Sequence, residues 1–229
     1  MDIAGFFYTA STWIFPVLIA FTLPEAVYGW VAWRLGDDTG YRDGRLTWNL
    51  FNHVHPIGTV ALPVLMIVTH APILLGWAKP IPVNFGRMHN PKRDIVTLSC
   101  ARPLTGMVLA LIGGLLVHVA QLLPLEVFRW TMFMLGNFIM LNLLFTVFSL
   151  LPIPPLDGGR IAVGLLPKKW GDQLARIEPY GMMVMLGLFF VVPFLLQQMG
   201  SSFTPLTLLV QYPVMAMMDA VLFLTGNGG

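Results

Sequence analysis

Apolar and polar positions divide this chain into long runs separated by short interruptions. A first apolar run covers about residues 6–35; it is interrupted by Pro16 and Pro24 and carries the carboxylate Glu25. A polar stretch over residues 36–55 follows, with Asp37, Asp38, Arg42, Asp43 and Arg45 and short alternating pieces such as residues 45–49. Period-two alternation is a strand signature, so this stretch predicts a small β element. Residues 57–76 are apolar again but contain Pro63 and Pro72. Residues 95–123 and 130–151 then predict two long helices joined by a short loop containing Glu126. Residues 167–178 read as an amphipathic surface helix with Trp170 at interfacial depth. Two more apolar runs, about 180–197 and 206–224, finish the pattern.

Runs near twenty apolar residues are long enough to cross a bilayer as helices, where every backbone polar group must be satisfied internally. The pattern therefore predicts an all-α polytopic membrane protein. Interior prolines each remove a backbone hydrogen bond, at about 3 kcal/mol in water, so the first span is expected to kink near its middle. The count depends on residues 57–76. If they dip in and return, eleven of the 13 basic residues share one side with the small β element: Arg34, Arg42, Arg45, Lys79, Arg87, Lys92, Arg93, Arg160, Lys168, Lys169 and Arg176. Full crossing would send Lys79 to Arg93 to the opposite side, against the positive-inside rule. Five spans with one re-entrant segment are expected, with six spans as the alternative.

Composition agrees with this reading. Of 229 residues, 56% are hydrophobic and only 10% charged, and the mean hydropathy is +0.75. Residues 1–229 form a single membrane domain, with a core over about 6–200 and an extra C-terminal span over about 206–224. The net charge of +2 comes from residues scattered over loops, which gives no nucleic-acid surface. A lone cysteine, Cys100, permits no intrachain disulfide. The first residues lack the basic region of a signal peptide, so the first run is expected to be retained. Gly106, Ala110 and Gly114 form a small-residue stripe that lets another helix approach closely.

Charges at membrane depth are costly and mark sites of function. Glu25 lies in the first span and needs a partner, for which residues 150–160 are the candidate region. Arg102 lies about 13 Å along its helix from Arg93 and also needs one.

The motifs around these charges carry a resemblance. They are Gly29-Trp-Val-Ala-Trp-Arg-Leu-Gly-Asp-Asp38, Gly76-Trp-Ala-Lys-Pro-Ile-Pro-Val-Asn84, Asn90-Pro-Lys-Arg-Asp94, Leu150-Leu-Pro-Ile-Pro-Pro-Leu-Asp-Gly-Gly-Arg160 and Leu174-Ala-Arg-Ile-Glu-Pro-Tyr-Gly181. Over residues 21–186 the chain resembles the site-2 protease family of intramembrane zinc metalloproteases. That family reads His-Glu-x-x-His in the first motif, two imidazoles on one helix face with a glutamate as general base. The resemblance implies that Glu25 stands at the general-base position and Asp157 at the third ligand position. It puts Pro24 and Tyr28 where the two histidines belong. Arg102 and Gly106 replace a glycine and an asparagine of the family, and Ser149 replaces another asparagine, whereas Asn142 matches.

One carboxylate ligand cannot make a three-ligand zinc site. The expectation is a degenerate member, a pseudoprotease that binds or scaffolds another membrane protein or transmembrane segment. It would need no cofactor, and Arg102 would replace the metal by pairing with Asp157 or Glu25. The alternative for Arg102 is snorkelling to the interface. The resemblance further implies a groove beside residues 151–159, served by strand addition along residues 79–84. Two alternatives remain for the whole chain: an architectural subunit of a larger membrane complex, or an active zinc protease with an atypical metal site. For the latter, His53 and His55 on an extended strand would point to one side as a chelate. His70, His89 and His118 read as ordinary hydrogen-bonding residues. The expected setting is a bacterial inner membrane with the basic loops in the cytoplasm.

Overall fold

The computed structural model describes residues 3–69, 74–200 and 204–228. Its elements are helical: α1 (Ile3–Arg34), α2 (Thr39–Arg42), α3 (Leu62–Val68), α4 (Pro91–Ala120), α5 (Leu125–Ser149), α6 (Asp157–Leu165), α7 (Lys168–Ala175), α8 (Gly181–Leu186), α9 (Val192–Gln198) and α10 (Tyr212–Leu224). Wide π-helical turns precede α3 and α10 and join α8 to α9. Five helices among the described residues are long and apolar enough to cross a membrane: Ala4–Arg34, Pro91–Ala120, Leu125–Ser149, Lys168–Gln198 and Thr207–Leu224. The protein is an integral membrane protein built on these five. α1 runs as one helix through both Pro16 and Pro24.

The core is the packing of α1, α4, α5 and α10. A side chain at Gly106 would meet Thr146 and the Asn142 carbonyl, and one at Gly113 would meet Ile139 and Phe138, so the small residues of α4 let α5 lie against it. Ala110, between them, is fully buried. α1 crosses α5 through the edge-to-face pair Phe21–Phe145, whose centroids are 4.8 Å apart. Asn137 Nδ2 donates to Thr12 Oγ1 at 3.0 Å and Trp130 Nε1 to Ser11 Oγ at 2.8 Å, which satisfies polar groups between the same two helices. Past α10, Thr225 lies over Gly114, its carbonyl bonds His118 Nε2 at 2.6 Å, and Asn227 Nδ2 donates to the Gly114 carbonyl. By contrast, only 6% of the apolar window within Lys168–Gln198 is buried.

The expected β element is absent: among the described residues, 36–55 hold α2, turns and a single 3₁₀ turn, Leu50–His53, with no strand. Side chains take the place of the partner strand. The Asp37 carboxylate accepts from Thr39 N at 3.1 Å and from Asn84 N at 2.7 Å, while Arg45 donates to the carbonyls of Asn52 and Lys79 at 2.9 Å. Local bonds of this kind compete with sheet ladders.

The apolar piece after residue 55 forms the helix Pro56–Val68, about 20 Å long at 1.5 Å per residue, short of the roughly 30 Å hydrocarbon core. His70 and Pro72 lie outside the described residues. Residues 74–84 form neither helix nor strand. Trp77 N donates to the Gly58 carbonyl at 3.2 Å and Lys79 N to the His53 carbonyl at 2.7 Å, which ties residues 53–58 to residues 77–79.

Candidate functional site: a buried arginine between two carboxylates

Three helices and the segment of residues 74–84 converge on one cluster. α1 presents Glu25 and, one turn on, Tyr28. α4 presents Arg102, and α6 begins with Asp157. The Gly-Gly after Asp157 is required by close approach: a Cβ on Gly158 would run into the Leu150 carbonyl, and one on Gly159 into the backbone at Pro154. This contact holds the start of α6 against the proline-rich turn and aims Asp157 inward, where it is 5% exposed.

The Arg102 guanidinium lies between the two acids. Its Nε donates to Glu25 Oε2 at 2.8 Å, Nη2 to Glu25 Oε1 at 3.2 Å and Nη1 to Asp157 Oδ1 at 3.0 Å. The Glu25 pair is bidentate, the geometry in which arginine binds a carboxylate best. Below the guanidinium is the Tyr28 ring, with the Arg102 Cζ 3.4 Å from its centroid, a cation–π contact. Glu25 Oε1 also accepts from the Ile81 backbone N at 2.7 Å. Gly29 and Gly40 make room for the Ile81 side chain, because a Cβ on either would clash with it. Two glycines thus seat this segment so that its amide reaches the acid.

The guanidinium faces inward onto both carboxylates and does not run to the interface. Pro24 lines the neighbouring cavity and has no donor or acceptor side chain. Ser149 Oγ donates to the Thr146 carbonyl at 3.0 Å, and Asn142 Nδ2 to the Phe138 carbonyl at 2.8 Å. Nearby, Arg160 Nη2 bonds Glu178 Oε1 at 3.0 Å and lies over Phe85.

The strand expected beneath His53 and His55 is not formed. His53 closes a 3₁₀ turn and is fully buried, with Nε2 2.9 Å from the Thr47 carbonyl. The His55 Nδ1 lone pair accepts from Gly58 N at 3.0 Å, capping the next helical turn. His89 packs over Gly36, whose φ of 104° favours glycine. Much of the backbone along residues 79–84 is already engaged. Lys79, Ile81 and Asn84 direct their N–H groups to His53, Glu25 and Asp37, and Pro80 and Pro82 have none. Outside the membrane, Asp38 joins α2 to the loop at Arg87. Partial desolvation raises the Asp38 carboxyl, but hydrogen bonds from Arg42 and Arg87 outweigh it and hold it below the ordinary value.

Sequence reasoning placed Tyr28 only as a lost ligand position, without its role under the guanidinium, and missed Ile81 altogether. Tyr28 had a signal, since three residues from Glu25 is one helical turn and the same face. Ile81 had none, because a backbone amide is common to nearly every residue.

Among curated relatives, the chain is 36% identical over 180 residues to "Putative zinc metalloprotease YwhC" of Bacillus subtilis (strain 168), covering 77% of this chain and 78% of that protein. The chain belongs to the site-2 protease family of membrane metalloproteases. Two further members are named "Putative zinc metalloprotease Rip2". The Mycobacterium tuberculosis protein (strain ATCC 25618 / H37Rv) is 30% identical over 174 residues, 75% of this chain and 64% of Rip2. The Mycolicibacterium smegmatis protein is 30% identical over 172 residues, 74% of this chain and 62% of its own length. No family model and no solved structure matches.

The relatives' names raise the question of zinc, and the site-2 residues of this chain fit it poorly. Among the described residues no group of three or more His, Cys, Asp or Glu is placed to hold a metal. The space between Glu25 and Asp157, where a cation would have to sit, is filled by a guanidinium bonded to both.

Proposed function

We propose that this chain is a site-2-protease-family protein that does not cleave peptides, and that it binds or scaffolds another membrane protein. The observation that carries this reading is the Arg102 fork. A catalytic zinc needs three protein ligands and an open position. On the motif register, Pro24 and Tyr28 stand where two histidines would be; proline cannot ligate, and Tyr28 supports the guanidinium instead. Arg102 supplies the positive charge that Glu25 and Asp157 would otherwise take from a metal. Its two acids keep it from being an uncompensated charge at membrane depth.

Metal analysis of the purified protein tests this directly. The expected result is no stoichiometric zinc in the parent, beside zinc in a Pro24→His, Tyr28→His, Arg102→Gly variant that restores ligands and vacates the space. Zinc near one per chain in the parent overturns the proposal and favours the second reading, an active protease, which rests on the zinc-metalloprotease names of relatives up to 36% identical. A permanent architectural role predicts constant stoichiometry with one complex on co-purification, whereas a chaperoning role predicts exchange.

The same proposal includes a re-entrant Pro56–Val68. Its length and the bonds tying residues 53–58 to 77–79 support it, and it leaves the basic loops on the cytoplasmic side of a bacterial inner membrane. Lys79→Cys and Lys92→Cys, in a Cys100→Ala background, are expected to react with an impermeant maleimide from the same side as Arg42→Cys. Reaction from the opposite side refutes re-entry.

A further inference from the structure

Asp219 lies in α10, inside the apolar stretch Thr207–Leu224 that is long enough to cross a membrane, and the cluster around Arg102 does not use it. Its depth is bracketed by what α10 touches on either side of it. Before it, Val214 lines a cleft with Leu141 and Leu144, which lie well inside α5. After it, Thr225 lies over Gly114 of α4, about 9 Å short of the end of that helix at Ala120. Asp219 is therefore a carboxylate at membrane depth.

The helix has two faces. Val210, Val214 and Val221 are buried in one cluster with Ala110 of α4 and Ile139 and Leu143 of α5. On the other side Tyr212, Met215 and Phe223 are 61%, 63% and 75% exposed, and Asp219 is exposed with them. Positions 212, 215, 219 and 223 recur at spacings of three and four, which is one stripe of a helix. Ala216 and Ala220, also exposed, flank the carboxylate, so no bulky neighbour on α10 keeps another helix away from it. Among the described residues the Asp219 side chain has neither a hydrogen bond nor an ion pair. Other polar side chains of the spans are answered from within the chain: Glu25 and Asp157 by Arg102, Asn137 by Thr12, and Trp130 by Ser11.

A carboxylate that faces lipid is costly, and acids within spans pair with a cation or face a polar interior. The occupant of this stripe thus has to be apolar along its length and carry a positive charge at the depth of Asp219. A second copy of the chain does not meet that demand, since Arg102 is held by two acids and the other basic residues sit in loops or near helix ends. Lipid does not meet it either, because an ammonium headgroup stays in the interfacial region. A transmembrane helix with an arginine or lysine in its middle meets both conditions.

We infer that the outward face of α10 binds a transmembrane helix of another protein, one that carries a basic residue at mid-membrane and pairs it with Asp219. The inference rests on the binding role proposed above and gives that role a surface and a partner chemistry.

The test uses the full chain, labelled at its N-terminus and reconstituted in lipid vesicles. The probe is a designed leucine–alanine helix of about 23 residues with tryptophans at both ends and one central arginine, beside the same peptide with a central leucine. Energy transfer between chain and peptide reads the affinity. One polar contact between helices in a bilayer predicts about five- to thirtyfold tighter binding of the arginine peptide. Asp219→Leu is expected to remove that preference. Because the carboxylate has no partner within the described chain, the same variant alone is expected to melt no lower than the parent. Equal binding of the two peptides overturns this inference, as does a preference that survives Asp219→Leu. A lower melting midpoint in Asp219→Leu, or its failure to fold, overturns it by revealing a partner inside the chain. Disulfide-linked dimers of Met215→Cys, in a Cys100→Ala background without peptide, assign the face to a second copy and overturn it too. These outcomes leave the metal analysis untouched, whereas stoichiometric zinc overturns the non-cleaving reading, whatever the peptides do.

Discussion

Replacing Arg102 is the most informative perturbation, because the guanidinium joins three elements through three charge-assisted bonds of 2.8–3.2 Å. Arg102→Met keeps an unbranched apolar stem and removes the charge. It leaves the Glu25 and Asp157 side chains, 8% and 6% exposed, as two acids without the guanidinium that bonds both, with the Ile81 amide still on Glu25. Removing one partner of a buried pair costs about 3–5 kcal/mol. In a chain of this size each kcal/mol moves the melting midpoint by about 2–4 °C, so a fall of roughly 6–20 °C is expected. Neutralising both acids as well, with Glu25→Gln and Asp157→Asn, should restore the triple variant to within about 2 kcal/mol of the parent, since replacing a whole buried ion cluster is often nearly neutral. The Asp157→Asn double variant should recover only part, because Glu25 remains. Arg102→Lys should fall between, a point charge being unable to fork. The assay is thermal unfolding in one fixed detergent, followed by size-exclusion recovery, with all combinations read as a mutant cycle. An Arg102→Met variant within about 1 kcal/mol of the parent, or a triple variant no more stable than the single, refutes the account of the cluster.

Other expectations follow from the same geometry. Tyr28→Leu keeps apolar volume and removes the ring under the guanidinium; a loss of about 1–2 kcal/mol is expected in the same unfolding assay, and no loss would deny the cation–π contact a role. Gly106→Leu forces a side chain against Thr146 and the Asn142 carbonyl and should destabilise by about 1–3 kcal/mol, whereas Gly136→Ala, with open space at its Cβ, should be neutral or slightly stabilising. If both behave alike, the close approach of α4 and α5 is not what the small residues provide. The Asp38 carboxyl is held below its ordinary value of 3.8, so its contribution is present above that value and is lost as pH falls through the lower folded value. Hydrogen exchange should show amides of residues 38–42 losing protection in acid, and Asp38→Asn should remove the pH dependence. Unchanged pH dependence in that variant would locate the effect elsewhere.

The five long helices were legible because a bilayer leaves little choice: an apolar run near twenty residues must satisfy its backbone internally, and a helix does so. A partner for Glu25 was also legible, since a charge at that depth needs a counter-charge, and few charged residues lie inside the apolar runs. The small β element was misread for a physical reason. Alternation over residues 45–49 describes which side chains could face apart, not which groups the backbone will bond, and Asp37 and Arg45 supplied those bonds from side chains. The same gap hid the 3₁₀ turn that ends at His53, where the spacing of His53 and His55 suggested extended chain.

By itself, then, the sequence determined the membrane class, the five spans and the requirement that Glu25, Asp157 and Arg102 find partners, all consequences of local composition and of the cost of burying charge. Only the tertiary structure decided that one guanidinium meets both acids, and that Tyr28 lies beneath it and Ile81 N beside it. These depend on how close α1, α4, α6 and the segment of residues 74–84 can come. That closeness is set by glycines at 29, 40, 158 and 159, whose missing side chains matter only once the neighbours that would strike them are in place.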